Sequence, residues 1–311
     1  MRIYRSIDAL PAPAAPTAVA IGNFDGVHRG HVRILDRLVR EGRERGLRTA
    51  VLTFSPHPER VFGAGRILML QTLEQRLETL ARYRLDAVCV QSFRHDFASL
   101  APGDFVREVL VRALGSRVVV VGPDFRFGRG RRGGVDELDR FGRRLGFDVR
   151  IGPPVKRRGE CVSSSAIRGF LAAGRVERAA GLLGRPYAVE GDVVAGAGRG
   201  RSLGYPTANI STPNEIVPPG VFVTSIEIAG RAHPSMTNVG TRPTFGAEDA
   251  PTIETYVFGL RRDLYGESVR LRFFKRVRGE RTFASPADLK ARLRKDAEAA
   301  HRFFAGRPDV I

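Results

Sequence analysis

The sequence predicts an α/β domain built on a parallel sheet, followed by an antiparallel β-barrel with a terminal helix. Two observations carry this. Through the first half, short β-branched runs alternate with segments of 3.6-residue apolar periodicity, the mark of a parallel sheet covered on both faces. Beyond Gly184-Arg185-Pro186-Tyr187, which breaks the helical pattern, strand-like runs follow one another without helices until a final helical segment. The expected domains are therefore 1–184 and 185–311.

In the first domain, strands are expected at 17–21, 50–54, 86–90, 118–121 and 147–151, with helical patterns at 72–83, 102–114 and 135–145. Ligands of such sheets bind beyond the carboxyl ends of the strands. The loops there are the unusual ones: Gly22-Asn23-Phe24-Asp25-Gly26-Val27-His28-Arg29-Gly30-His31 after the first strand, Ser55-Pro56-His57-Pro58 after the second, and Gly122-Pro123-Asp124-Phe125 after the fourth. A strand, a glycine turn and a helix start make an anion site, because free N–H groups and the helix dipole face one point. A lone histidine at such a start is usually an exposed polar residue. His28 and His31 together, spaced by Gly30, could both reach a phosphate.

Gly128-Arg129-Gly130-Arg131-Arg132-Gly133 matches Gly-x-Gly-x-x-Gly, but it follows a late strand at a distance and lacks the tight strand-turn-helix context of a dinucleotide fingerprint. It reads as a mobile basic loop. Ser163-Ser164-Ser165-Ala166-Ile167-Arg168 reads as a hydroxyl-bearing helix start, either plain capping or a place to hold a triphosphate.

In the second domain, strands are expected at 188–194, 221–228, 253–258 and 269–277, with the helix at 285–304. The loop from Gly196 through Gly198, Arg199, Gly200 and Gly204 to Pro206 lets backbone approach a phosphate, and Thr207 and Asn209, two apart in an extended segment, point to one side. Mg²⁺ often takes few protein ligands when nucleotide phosphates and water complete its shell. An ordinary glycine loop entering a strand is the plain alternative. Glu254, among β-branched and aromatic residues, is a candidate base for a hydroxyl if it faces the barrel mouth. The Gly-x-x-x-x-Gly-Lys-[Ser/Thr] motif is absent, so a kinase here is not of the P-loop type.

Taken in order, the stretches Gly22 to His31, Thr53-Phe54-Ser55-Pro56-His57-Pro58, Val121 to Gly128, Ser163 to Arg168, Gly198 to Asn209, Asn238-Val239-Gly240-Thr241-Arg242-Pro243-Thr244-Phe245, Glu254 and Leu264-Tyr265-Gly266 resemble the bacterial bifunctional riboflavin kinase/FAD synthetase family over nearly the whole length. The resemblance implies a nucleotidylyltransferase fold acting as FMN adenylyltransferase, then a riboflavin kinase barrel. Together they would use ATP and Mg²⁺ to convert riboflavin to FMN and FMN to FAD. It implies that His28 and His31 stabilise ATP phosphates, with Gly22, Asn23, Phe24, Asp25 and Gly26 forming the turn. Ser164, Ser165 and Arg168 would hold the triphosphate, and Asp124 would lie at the nucleotide or flavin phosphate. In the barrel, Thr207 and Asn209 would bind Mg²⁺ and ATP, and Glu254 would act as base. Two positions depart from the family pattern: Ala166 replaces a common arginine, and Ser92-Phe93 stands where Pro-Phe is usual. The alternative is a riboflavin kinase with an inactive or regulatory N-terminal flavin- or nucleotide-binding domain.

Composition narrows the classes. The net charge of +18 invites a nucleic-acid reading, but the excess is arginine scattered along the chain, so a solvated surface is favoured and no specific nucleic acid is expected. With two cysteines there is no disulfide framework and no paired-cysteine zinc spacing. No apolar run approaches the roughly 20 residues of a membrane span, and residues 1–16 lack the continuous apolar core of a secretion signal. A cytoplasmic enzyme without a membrane partner is expected. Oligomeric state is not legible.

Overall fold

The computed structural model describes residues 1–11, 15–61, 63, 67–196, 200, 204–241, 251–260 and 262–307. Two compact units divide the chain: Met1–Ile67 with Thr72–Ser163, and Leu68–Gln71 with Ser164–Ile311.

The first unit is built on six parallel strands, β1 (Arg2–Tyr4), β2 (Thr17–Ile21), β3 (Arg48–Ser55), β4 (Ala87–Ser92), β5 (Ser116–Val121) and β6 (Asp148–Ile151), in the order β1-β4-β3-β2-β5-β6. Their alternating side chains feed two cores. On one face Ala18, Ala20, Val51, Val88, Val118 and Val120 pack against Ile34, Leu35 and Leu38 of α1 (Arg29–Arg45), together with Leu77 and Leu80. On the other, Val19, Ile21, Leu52, Phe54, Val119 and Val121 meet Phe105, Val109, Leu110 and Leu138. Burial on both faces is why these strands read as continuous apolar runs.

Between β3 and β4 lie the short α2 (Pro58–Val61) and α3 (Leu73–Ala81). The latter starts at a capping box: Thr72 accepts from the Gln75 N–H and the Gln75 side chain accepts from the Thr72 N–H. Short turns α4 (His95–Ala98) and α5 (Pro102–Asp104) precede a π-helical stretch, Phe105–Ala113, closed by a Leu114 N–H to Val109 carbonyl bond of 3.0 Å. Helix α6 (Val135–Leu145) falls where its periodicity places it. A small hairpin, β7 (Lys156–Arg157) and β8 (Glu160–Cys161), follows.

The second unit opens with α7 (Ser164–Ala172) and α8 (Val176–Leu183), which ends at Gly184 with φ of 84°. Its six strands, β9 (Tyr187–Val194), β10 (Ala208–Ser211), β11 (Gly220–Ile228), β12 (Arg231–Thr241), β13 (Pro251–Val257) and β14 (Ser268–Arg278), close a barrel in the order β10-β13-β12-β11-β14-β9, every pairing antiparallel. The lumen holds Phe222, Ile226, Leu271 and Phe273, together with a fully buried run of hydroxyls. Ser235 bonds Thr224, Thr224 bonds Thr237 and Thr237 bonds Thr255, at 2.8, 2.8 and 2.9 Å. Helix α9 (Pro286–Ala305), capped by Ser285, lays Ala297, Ala300 and Phe304 over Val223 and Met236 on the outer face.

Candidate active sites

In the first unit the site is the turn between β2 and α1. Gly22 continues the ladder by donating to the Leu52 carbonyl at 3.1 Å, and the chain then leaves the sheet through three residues of positive φ: Phe24 (50°), Gly26 (83°) and Val27 (37°). Glycine adopts this region freely, whereas a β-branched valine there is strained, at a cost of order 1–3 kcal/mol. The strain delivers His28 to the N-cap of α1, where its Nδ1 accepts from the His31 N–H at 3.3 Å. In a neutral ring that leaves the hydrogen on Nε2, a donor. His31 stacks on His28 with ring centroids 3.6 Å apart and planes 12° from parallel. Gly30 leaves the His28 ring its room, because a Cβ there would come within 3.1 Å of it, a tight contact. Asp25 and His28 are buried. The two histidines and the turn Gly22, Asn23, Phe24, Asp25 and Gly26 thus form one cluster.

Two neighbours of this turn were not legible as site residues. The Asn23 amide and the His57 ring meet at 2.8 Å, Nδ2 to Nε2, and the Asn23 carbonyl accepts from Thr53 Oγ1 at 3.1 Å and Arg76 Nη1 at 2.6 Å. Arg76 also donates through Nη2 to the Phe54 carbonyl at 3.1 Å. Burial pulls its guanidinium below arginine's ordinary value, and the charges of Asp25 and Glu74 oppose that pull. His57 stood in an unusual loop, but nothing in a Gln-Arg-Leu helical run marks Arg76.

Asp124 is exposed in the turn after β5, which neighbours β2 in the sheet. The glycine-rich loop beyond it is no dinucleotide fingerprint. Gly128, φ 72°, packs on Pro102, while Gly133 lies under the Phe127 ring and exchanges two backbone hydrogen bonds with that residue. Those bonds tie down a loop whose composition suggests mobility. Ser164, Ser165 and Arg168 open α7, and Arg168 Nε donates to the Leu68 carbonyl at 2.7 Å.

In the barrel the register builds the site. Glu254 on β13 pairs directly with Asn209 on β10 and with Asn238 on β12. Directly paired residues share a face, so the three stand abreast on three adjacent strands. Ile253, Thr255 and Val257 are buried toward the lumen, and Tyr256 packs in the cluster under α9. Glu254, of the same parity as Tyr256, is therefore on the outer face. It stands in an outer polar row with Asn209 and Asn238, on the face of the barrel whose Tyr256 packs under α9.

The preceding loop closes on this row. Gly204 has φ of 83°, and Tyr205 donates from its N–H to the Gly200 carbonyl at 2.8 Å. A Cβ on Gly200 would lie 2.1 Å from the Tyr205 carbonyl oxygen and 3.3 Å from Thr207 Oγ1. Pro206 and Thr207 lead into β10; Gly198 and Arg199 lie outside the described residues. The Asn209 amide leans over Gly196, whose added Cβ would sit 1.9 Å from Nδ2. Gly196→Ala is therefore expected to push the Asn209 side chain aside and lower the turnover of the barrel site about tenfold, with little change in melting temperature because a flexible group yields. Steady-state kinetics beside a thermal melt check this.

Among the described residues no group of three or more His, Cys, Asp or Glu is placed to hold a metal, and no helix is long and apolar enough to cross a membrane.

The FAD synthetase family model matches residues 11–166 and the riboflavin kinase model residues 183–304. The chain is 37% identical over 310 residues to the bifunctional riboflavin kinase/FMN adenylyltransferase of Escherichia coli (strain K12), with 98% of each covered. Against the protein of that name from Bacillus subtilis (strain 168) it is 33% identical over 298 residues, covering 94% of this chain and 93% of the relative. A crystal structure described as a macrolide-efflux protein from Streptococcus pneumoniae superposes with a TM-score of 0.88 at 28% identity, covering 96% of this chain and 98% of that one. With both family models matched in series and relatives above 30% identity along nearly its whole length, the chain belongs to the bifunctional riboflavin kinase/FMN adenylyltransferase family.

Proposed function

We propose that the chain makes FAD in two steps, with separate residues for each. The domain from 185 to 311 phosphorylates riboflavin with ATP to give FMN, and the domain from 1 to 184 transfers AMP from a second ATP to FMN, releasing pyrophosphate. The observation that carries this reading is the presence in one chain of two separate arrangements suited to phosphate: paired histidines at a helix start, and an Asn-Glu-Asn row beside a glycine loop.

In the barrel, Glu254 accepts the proton of the ribityl 5′-hydroxyl as that oxygen attacks the γ-phosphorus of ATP and ADP leaves. Thr207 and Asn209 offer neutral oxygen ligands, a donor set that suits Mg²⁺ held largely by nucleotide phosphates and water. When bound, the ion neutralises phosphate charge. The glycines from Gly196 to Gly204 let backbone come close to the nucleotide.

In the first domain the FMN phosphate attacks the α-phosphorus of ATP. The nucleophile is already anionic, so His28 and His31 serve as hydrogen-bond donors to charge that develops on the phosphates, and no base is needed. Gly22, Asn23, Phe24, Asp25 and Gly26 shape the turn, and Asp124 lies at the nucleotide or flavin phosphate. Ser164, Ser165 and Arg168 hold the triphosphate, as the family pattern implies.

The test is a time course of the full chain with riboflavin, ATP and Mg²⁺, flavins separated by chromatography, repeated from FMN. FMN followed by FAD, and FAD from added FMN, support both steps. FMN alone supports a kinase with an inactive first domain. Excess chelator is expected to stop product formation and added Mg²⁺ to restore it, with the thermal melt unchanged, because the ion is held through the nucleotide. A melt that falls on chelation would point instead to a structural metal.

A further inference from the structure

We propose that Arg76 is a positioning residue for adenylyl transfer: its buried guanidinium holds the Asn23 carbonyl and so fixes the turn that carries His28 and His31. This rests on the adenylyltransferase reading of the first domain.

The turn closes one backbone bond of its own, Val27 N–H to the Phe24 carbonyl at 3.1 Å, yet it carries strain. Phe24 and Val27 both sit in the left-handed region, and neither residue type favours it. A turn of that kind persists only where its surroundings over-determine it, and here the restraints converge on Asn23. Its carbonyl takes hydrogen bonds from Arg76 Nη1 at 2.6 Å and Thr53 Oγ1 at 3.1 Å, and its amide meets His57 at 2.8 Å.

The guanidinium does more than close one bond. Through Nη2 it also holds the Phe54 carbonyl at 3.1 Å, so one planar group spans the end of β3 and the segment that leaves β2. Its own position is set by α3, whose start is locked by the Thr72–Gln75 capping box. The side chain is 4% exposed, so it acts through the turn and not on substrate. A lysine would place a charge there but lacks a fork able to hold two carbonyls in fixed geometry.

The test uses the full chain, which carries its own control, the kinase. In Arg76→Met, FAD formation from FMN is expected to fall about 30-fold, kcat and kcat/KM for ATP falling by the same factor, since the histidines act on charge formed in the transition state. Riboflavin phosphorylation should stay within twofold. Arg76→Lys should recover about a third of the lost activity. Should Arg76→Met fail to fold, Thr53→Val removes a second bond to the same carbonyl at nearly constant shape, and a loss of about fivefold in FAD formation is expected.

FAD formation within threefold of wild type in Arg76→Met, or no recovery with lysine, overturns the inference. So does a loss that appears only as raised KM for ATP. Failure of the wild-type chain to make FAD from FMN would instead overturn the adenylyltransferase reading on which the inference stands.

Discussion

Glu254→Gln is expected to abolish riboflavin phosphorylation, lowering kcat by about 10²–10⁴-fold, the range for loss of a positioned general base. Glutamine keeps the shape of the side chain and its place between Asn209 and Asn238, so the barrel should fold as before. FAD formation from supplied FMN should be unchanged, since the first domain uses other residues. Parallel assays from riboflavin and from FMN measure both quantities on one preparation. If the glutamine variant phosphorylates riboflavin at the wild-type rate, Glu254 is not the base.

His28→Ala should do the reverse and slow FAD formation by about 10²–10³-fold, the cost of removing one donor aimed at developing charge. Alanine also removes the N-cap of α1, because the His28 ring accepts from the His31 N–H. That loss is worth about 1 kcal/mol of stability. His28→Asn separates the two effects: asparagine caps well but lacks the Nε2 donor at the imidazole's reach. The expected pattern is a lowered melt in the alanine variant, a near-native melt in the asparagine variant, and impaired FAD formation in both, with riboflavin phosphorylation intact. An asparagine variant that makes FAD normally would reduce His28 to a cap.

Both variants probe arrangements that were unequally visible in the sequence. The β2 turn was readable because strand, glycines and histidine spacing coincide over ten residues, and α6 because its apolar stripe ends at Gly146, a left-handed C-cap. Strand β12 is not readable in the sequence, for a physical reason: its inward residues include Ser235 and Thr237, which both bond the Thr224 hydroxyl, Thr237 bonding Thr255 as well, and so leave no apolar alternation. Pro234 disguises it further. Losing β12 hid Asn238 as a neighbour of Glu254, although the residue lay in a recognised stretch. Glu254 stands out in the sequence as a carboxylate among β-branched and aromatic residues, but its face is open there, because parity needs the partner strands. Arg76 was silent: a buried arginine reads like a surface one until the carbonyls it holds are known.

Ring closure in the second unit bears on how reliably Glu254, the proposed base, is kept on the outer face. In an open sheet a border strand can pair one place out of step, and a single step turns every side chain over. For β13 that error would hide Glu254 inside and bring Thr255 or Ile253 out in its place. Each of the six strands has two partners, so a mispairing must be accommodated on both sides at once and around the circle. Which residue of β13 faces outward is thus protected by connectivity of the whole ring, which leaves the flanking loops free to vary without turning the proposed base inward.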